Sequence, residues 1–83
     1  MNEIRLDFSD GMTPERLHEI IREKLCLPDF YGKNLDALYD VLTCCREETV
    51  FYLHTAGLAW ALRLKAVLED ASAENDRIRV VEE

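Results

Sequence analysis

The central stretch of the chain reads PDFYGKNLDALYDVLT, from Pro28 to Thr43. Pro28 stops the element before it, and Gly32 permits a backbone turn that a Cβ would strain. Asn34 can then cap a following helix by accepting a hydrogen bond from one of its first amides. The stretch therefore predicts a loop that leads into a short helix.

The side chains of this helix fall on two faces. Leu35, Leu38 and Leu42 have the spacing of a stripe that packs on a core. The other face carries two carboxylates, a phenol and a hydroxyl: Asp36, Tyr39, Asp40 and Thr43. The amide end of the helix stabilises Asp36, which lies in the first turn, but this effect has faded at Asp40. Asp40 also lies four residues after Asp36, and repulsion between the two like charges costs roughly 0.2 to 0.5 kcal/mol. Asp40 is either part of a solvated face or part of a surface that binds positive charge.

Length and charge limit the classes of function. We expect the 83 residues to form a single domain, 1–83, with one modest core. The 17 acidic residues outnumber the 10 basic ones and give a net charge of -7, which argues against direct nucleic-acid binding and favours a basic partner. Because no stretch resembles a signal peptide or a membrane span, we expect a cytoplasmic protein without membrane contact.

Strand and helix patterns alternate on both sides of the central stretch. Ile4 and Leu6 alternate with charges, as in a strand near the edge of a sheet, and a helix begins at Thr13-Pro14 and runs to about Leu25. His18 is expected in the solvated part of that helix. The continuous apolar run at 50–53 predicts a strand covered on both sides.

The last third of the chain predicts a helix over residues 56–71, with Trp60 as a core anchor, and then an edge strand around Ile78 and Val80. Strands joined by helical crossovers of this length run parallel, and crossovers of one hand place the helices on one face. The predicted fold is α/β, with a three-stranded parallel sheet in the order 1-2-3 and three helices. The order 2-1-3 is disfavoured by the alternating charges of the first strand.

Candidate catalytic and metal-binding groups have weak patterns. Cys26, Cys44 and Cys45 lack the spacing of a zinc site and are interpreted as reduced thiols, with a redox role of the vicinal pair left open. An acid and base pair at Asp36 and Asp40 needs a cleft that the sequence does not indicate. His54 follows the second strand and is interpreted as a surface residue. We therefore expect neither cofactor, metal nor catalytic residue.

The segment from Leu27 to Thr43 resembles the signature of the barstar family, intracellular inhibitors of the secreted ribonuclease barnase. The run YGKNLDALYD from Tyr31 to Asp40 carries the resemblance, which extends more weakly over nearly the whole chain. Tyr39 replaces a Trp of that family, and Lys33 reverses the charge of a Glu. The resemblance implies a three-stranded parallel sheet in the order 1-2-3, in agreement with the order derived above.

The resemblance also implies roles for individual residues at a partner interface. Asp40 is implied as the dominant acid, among the basic groups that bind the scissile phosphate in the ribonuclease, and Asp36 meets a second basic side chain. Gly32 lets the backbone approach closely, and Asn34 holds the loop or bonds across the interface. Further positions flank these residues: Phe30, Tyr39, Thr43 and Asp70.

The leading hypothesis is a monomeric cytoplasmic inhibitor that binds a basic ribonuclease, barnase-like or a toxin nuclease, in a 1:1 complex as its immunity partner. The acidic loop and helix then mimic RNA phosphates in the active site of the nuclease. An acidic adaptor that binds a basic protein other than a nuclease is the alternative. An enzyme that uses the carboxylates or His54 is the third hypothesis, and it requires a pocket beside these groups.

Overall fold

The computed structural model describes residues 2–27, 32 and 34–83. Over these residues the elements are β1 (Asn2–Asp7), α1 (Pro14–Lys24), α2 (Leu35–Thr43), β2 (Thr49–His54), α3 (Ala59–Glu74) and β3 (Ile78–Glu82), with a 3₁₀ turn at Phe8–Asp10. The three strands are parallel and lie in the order β1-β2-β3, as predicted. None of the helices in this described part combines the length and apolar character that a bilayer crossing requires.

One face of the sheet and the inner sides of the helices share a single core. In the register Ile4 lies opposite Phe51, which in turn lies opposite Val80. The buried members of the core are Ile4, Leu6, Phe8, Leu17, Ile21, Leu38, Leu42, Phe51, Leu53, Ala61, Leu64, Leu68, Ala71 and Ile78. The predicted anchor Trp60 is half-buried, and its ring meets Phe8 edge to face, with centroids 5.0 Å apart and an angle of 77° between the rings. Burial of each large apolar side chain contributes about 1.5 to 3 kcal/mol.

The other face of the sheet is only partly covered. Val50 is buried there, whereas Tyr52 is half-buried and His54 is exposed. The guanidinium of Arg5 lies 4.4 Å from the centroid of the Tyr52 ring and covers it by a cation–π contact. The prediction that residues 50–53 are covered on both sides agrees with the burial of Val50, Phe51 and Leu53, whereas Tyr52 is only half-buried.

Helix α1 begins as the sequence predicts. Pro14 is its first residue, and the Thr13 hydroxyl oxygen accepts a hydrogen bond from the Arg16 amide at 3.2 Å. The prediction that His18 is solvated is wrong, because only 5% of the residue is exposed. His18 lies beside Leu17 on the core side, where the buried stripe of a helix is wide enough to include adjacent positions.

Helix α1 ends in a tight turn with a cysteine at its left-handed position. Cys26 has φ of 53°, a region that favours glycine. Its amide donates to the Glu23 carbonyl at 3.3 Å, and the Leu27 amide donates to the Arg22 carbonyl at 2.9 Å. These two bonds form a Schellman motif, in which glycine is the usual residue at the position of Cys26.

Replacement of Cys26 by glycine is expected to raise the free energy of unfolding by roughly 0.5 to 1 kcal/mol, because glycine adopts positive φ without steric cost. Chemical denaturation under reducing conditions measures the change. Gly11→Ala is the matched control and is expected to lower the free energy of unfolding, because Gly11 has φ of 78°. The space around its Cα is open, so the backbone angle is the only source of the loss. A loss of stability in Cys26→Gly would contradict this account of the turn.

Helix α3 is displaced along the chain by three residues from the predicted range 56–71, to Ala59–Glu74. Ala56 and Gly57 have φ of 53° and 73°, so the backbone before the helix is left-handed and cannot be helical. At the other end, Ala73 and Glu74 favour continued helix, so α3 extends beyond residue 71 to Glu74. Asn75 follows it with an extended backbone. The apolar periodicity predicts the helix correctly but not its boundaries.

Candidate partner-binding surface

Helix α2 begins at a cap that holds the end of the preceding loop. The Asn34 side-chain oxygen accepts a hydrogen bond from the Ala37 amide at 2.7 Å. The Asn34 side-chain nitrogen donates to the Gly32 carbonyl at 3.2 Å. One side chain therefore fixes both the first turn of the helix and the backbone two residues before it, as the predicted cap requires.

Gly32 is required for space and not for an unusual backbone angle. Its φ lies outside the left-handed region, in contrast to the turn strain expected from the sequence. A Cβ at this position would lie 3.2 Å from the Ala37 Cβ and 3.3 Å from the Asn34 side-chain nitrogen. A larger residue therefore presses on the cap and on the first turn of α2.

Replacement of Asn34 by alanine is expected to lower the free energy of unfolding by about 1 kcal/mol, because one of the first amides of α2 loses its acceptor. Urea denaturation measures the loss. Asn34→Asp is the matched control: it keeps a capping oxygen but cannot donate to Gly32, so it separates the cap from the loop contact. Equal stability of Asn34→Ala and the wild type would show that the cap contributes nothing.

Two carboxylates project from the outer side of α2. Asp36 lies in the first turn of the helix, and Asp40 lies one turn later. Both residues are exposed. Over residues 2–27, 32 and 34–83, no side chain or amide forms a hydrogen bond or ion pair with either carboxylate. Side chains at this spacing are neighbours on a helix surface, so the pair forms one anionic patch that is free to bind external cations.

The other two polar side chains of this face are half-buried. The Thr43 hydroxyl donates a hydrogen bond to the Asp40 carbonyl at 3.0 Å, so it stabilises the last turn of α2. Tyr39 packs against the hydrophobic core with part of its ring. The predicted solvent face is therefore narrower than its spacing suggests, and only the two aspartates among its four residues are exposed.

Two leucines on the opposite side of α2 are completely buried. Leu38 and Leu42 have no exposed area and belong to the core. A helix of nine residues is too short to be stable in water by itself, so these contacts determine its position. Among the described elements, α2 packs mainly against α3.

Asn75 joins the ends of these two helices. Its side-chain nitrogen donates to the Leu42 carbonyl at 2.9 Å and to the Cys45 carbonyl at 2.8 Å. These carbonyls lie at the end of α2, where backbone acceptors lack partners within the helix. No local spacing connects Asn75 to residues thirty or more positions earlier, so the sequence does not predict these bonds.

The comparison with protein families gives a direct assignment. The sequence model of Barstar (barnase inhibitor) matches residues 1–81. The chain belongs to the barstar family. A protein of Bacillus subtilis (strain 168) named "Putative ribonuclease inhibitor YrdF" is 49% identical over 43 residues, which are 52% of this chain and 47% of that protein. The match thus spans about half the length of this curated relative.

The barstar resemblance also selected residues outside α2. Asp70 is exposed on α3, the helix against which α2 packs. Gly32 and Asn34 lie at the start of α2, as described above. Phe30 lies outside the described residues.

A cleft of about 280 Å³ borders the start of α2. Asn34, Leu35, Trp60 and Arg63 are among its lining residues, and neither Asp36 nor Asp40 lines it. His54 is exposed elsewhere, with its Nδ1 atom 3.3 Å from the Glu83 backbone oxygen. The cleft thus does not place the carboxylates or His54 in a shared pocket, which the enzymatic hypothesis requires.

Proposed function

We propose that this protein is a non-catalytic inhibitor of a basic ribonuclease, and that it binds the active site of the nuclease through the loop and helix around Asp40. The observation that carries the proposal is the pair of exposed carboxylates, Asp36 and Asp40, on a helix whose other side is fixed in the core. Membership of the barstar family and the name of the Bacillus relative support the same role.

The proposed mechanism is mimicry of RNA phosphates. A ribonuclease active site binds a polyanion with Arg, Lys and His, and carboxylates at fixed spacing on a rigid helix can occupy the same positions. The net charge of -7 raises the rate of association with a basic surface, and desolvated charge pairs then slow dissociation. In this mechanism Asp70 adds a further negative charge from α3, and Phe30, Tyr39 and Thr43 take part in the contact with the nuclease.

In this proposal residues 1–83 act as one inhibitory domain, which is monomeric, works in the cytoplasm and binds its nuclease 1:1. It protects the producing cell as the immunity partner of a secreted or delivered toxin. Because the partner supplies the positive charges, inhibition requires neither a metal nor a cofactor in this protein.

Titration of the protein into cleavage assays tests the proposal. Barnase-like ribonucleases and basic toxin nucleases are assayed on a fluorogenic RNA substrate with increasing inhibitor. The expected result is a linear loss of cleavage that is complete at one equivalent of inhibitor for one nuclease of the panel. Addition of salt is expected to lower the association rate, because it screens long-range attraction.

Three outcomes contradict the proposal or part of it. Full cleavage with every nuclease at a large excess of the protein argues against inhibition. Capture from native lysate of a basic protein without nuclease activity, released by mutation of Asp40, favours the adaptor alternative. An apparent inhibition constant that does not rise with the RNA concentration at equilibrium excludes simple competition for the active site.

A further inference from the structure

All three cysteines of the chain line one groove at the ends of α1 and α2. Cys26 follows α1, Cys44 is the residue at which α2 ends, and Cys45 comes next. The groove has a volume of about 350 Å³ and lies between these helix ends. The fold thus brings together thiols that are separated by almost twenty residues in sequence.

The three thiols differ in their access to solvent. Cys26 and Cys44 are exposed, whereas Cys45 is half-buried. The Cys45 thiol donates to the Glu47 carbonyl at 3.4 Å and lies 3.8 Å from the Thr49 hydroxyl. A reagent that enters the groove therefore meets Cys26 and Cys44 first, while Cys45 is held against the backbone below.

Cys26 also occupies a backbone position that favours glycine. Its positive φ of 53° has a steric cost, and its side chain is exposed. Cys44 is also exposed, but its backbone is right-handed. The backbone conformation therefore distinguishes Cys26 from the other exposed thiol of the groove.

The described residues that line the groove carry a small net positive charge. Lys24 and Arg46 are the basic ones and Glu47 is the acid among them, and the Glu47 carboxylate accepts a hydrogen bond from the Asn2 side chain at 3.2 Å. This part of the surface thus differs in sign from the net charge of -7 of the whole protein. The groove therefore attracts a small molecule with carboxylates more strongly than it attracts a cationic small molecule.

We propose that this groove is a modification site at which Cys26 forms a mixed disulfide with an anionic low-molecular-weight disulfide. The Cys26 thiol loses its proton to solvent, and its sulfur attacks one sulfur of the disulfide RSSR. The new bond joins Cys26 to RS, the old S–S bond breaks, and RS⁻ leaves with the electron pair and is protonated. The small disulfide is the oxidant, so no further reagent is required. The site is independent of the proposed inhibition.

The test compares two disulfides of opposite charge on the full chain. Reduced protein is incubated with oxidised glutathione, which carries carboxylates, or with cystamine, which is cationic. Intact-mass and peptide mass spectrometry measure the rate and position of adducts. The measured quantity is the rate with oxidised glutathione divided by the rate with cystamine. We expect this ratio to be roughly tenfold higher for the native protein than for the same protein in urea. The adduct is expected on Cys26.

Variants separate the groove from general thiol reactivity. Cys26→Ser is expected to remove most of the native adduct, whereas Cys44→Ser keeps it. The double variant Lys24→Glu with Arg46→Glu is expected to reverse the preference for the anionic disulfide. Far-UV circular dichroism confirms that each variant is folded. Equal adducts on all three cysteines would overturn the proposal. It would also be overturned if urea and the double variant both left the charge preference of the native protein unchanged.

Discussion

Replacement of Asp40 by alanine is expected to weaken binding of the ribonuclease by roughly 30-fold to several-thousand-fold. The carboxylate is exposed and engages no described residue of its own protein, so its whole hydrogen-bonding capacity is available to the partner. Removal of one member of a desolvated charge pair costs about 2 to 5 kcal/mol, because the basic groups of the partner stay buried without a counter-charge. Inhibition constants from the cleavage assay measure the loss.

The stability of the free protein supplies the internal control for Asp40. The variant is expected to be as stable as the wild type or more stable by a few tenths of a kcal/mol, because it removes repulsion from Asp36. Asp40→Asn tests the charge alone at constant shape, and Glu19→Gln removes an exposed charge from a different helix, α1. If Glu19→Gln weakens inhibition as much as Asp40→Asn, net charge and not the position of the carboxylate governs binding.

Replacement of Leu38 by alanine is expected to lower the free energy of unfolding by about 2 to 5 kcal/mol, because it leaves a cavity at a site without any solvent exposure. A chain of this length has a total stability of roughly 4 to 12 kcal/mol, so the variant loses a large part of it. Differential scanning calorimetry should show a fall of the melting temperature on the order of 10 °C or more.

Leu62→Ala is the matched control for Leu38. It makes the same chemical change within a helix, but 46% of Leu62 is exposed, so the expected loss is within about 0.5 kcal/mol. Similar losses in the two variants would show that α2 is not fixed by burial of Leu38. At a temperature where Leu38→Ala is folded, its Asp40 still faces the partner, so inhibition should fall much less than in Asp40→Ala.

Local patterns allowed much of the fold and part of the surface to be predicted. The caps at Thr13 and Asn34 lie within three residues of the amides that they bind, so the sequence contains both partners. The leucine spacing on α2 gives its buried side, and the exposed aspartates follow from it. The parallel order of the strands follows from crossover lengths, which are also visible in the sequence.

Features that depend on distant residues could not be predicted. His18 is buried because of its neighbours in the fold, although the sequence around it is charged. The bonds from Asn75 to the end of α2 join helices that are far apart in sequence. The cysteine groove likewise exists only after the ends of α1 and α2 meet. Spacing within one element carries no information on such contacts.

The division of α2 into a leucine side and an aspartate side has a consequence for the divergence of such proteins. Substitutions at Asp36 or Asp40 remove no contact on which the described fold depends, so their costs in stability are small. A lineage can therefore alter its recognition residues one at a time as the target enzyme changes, while the scaffold that presents them is inherited intact.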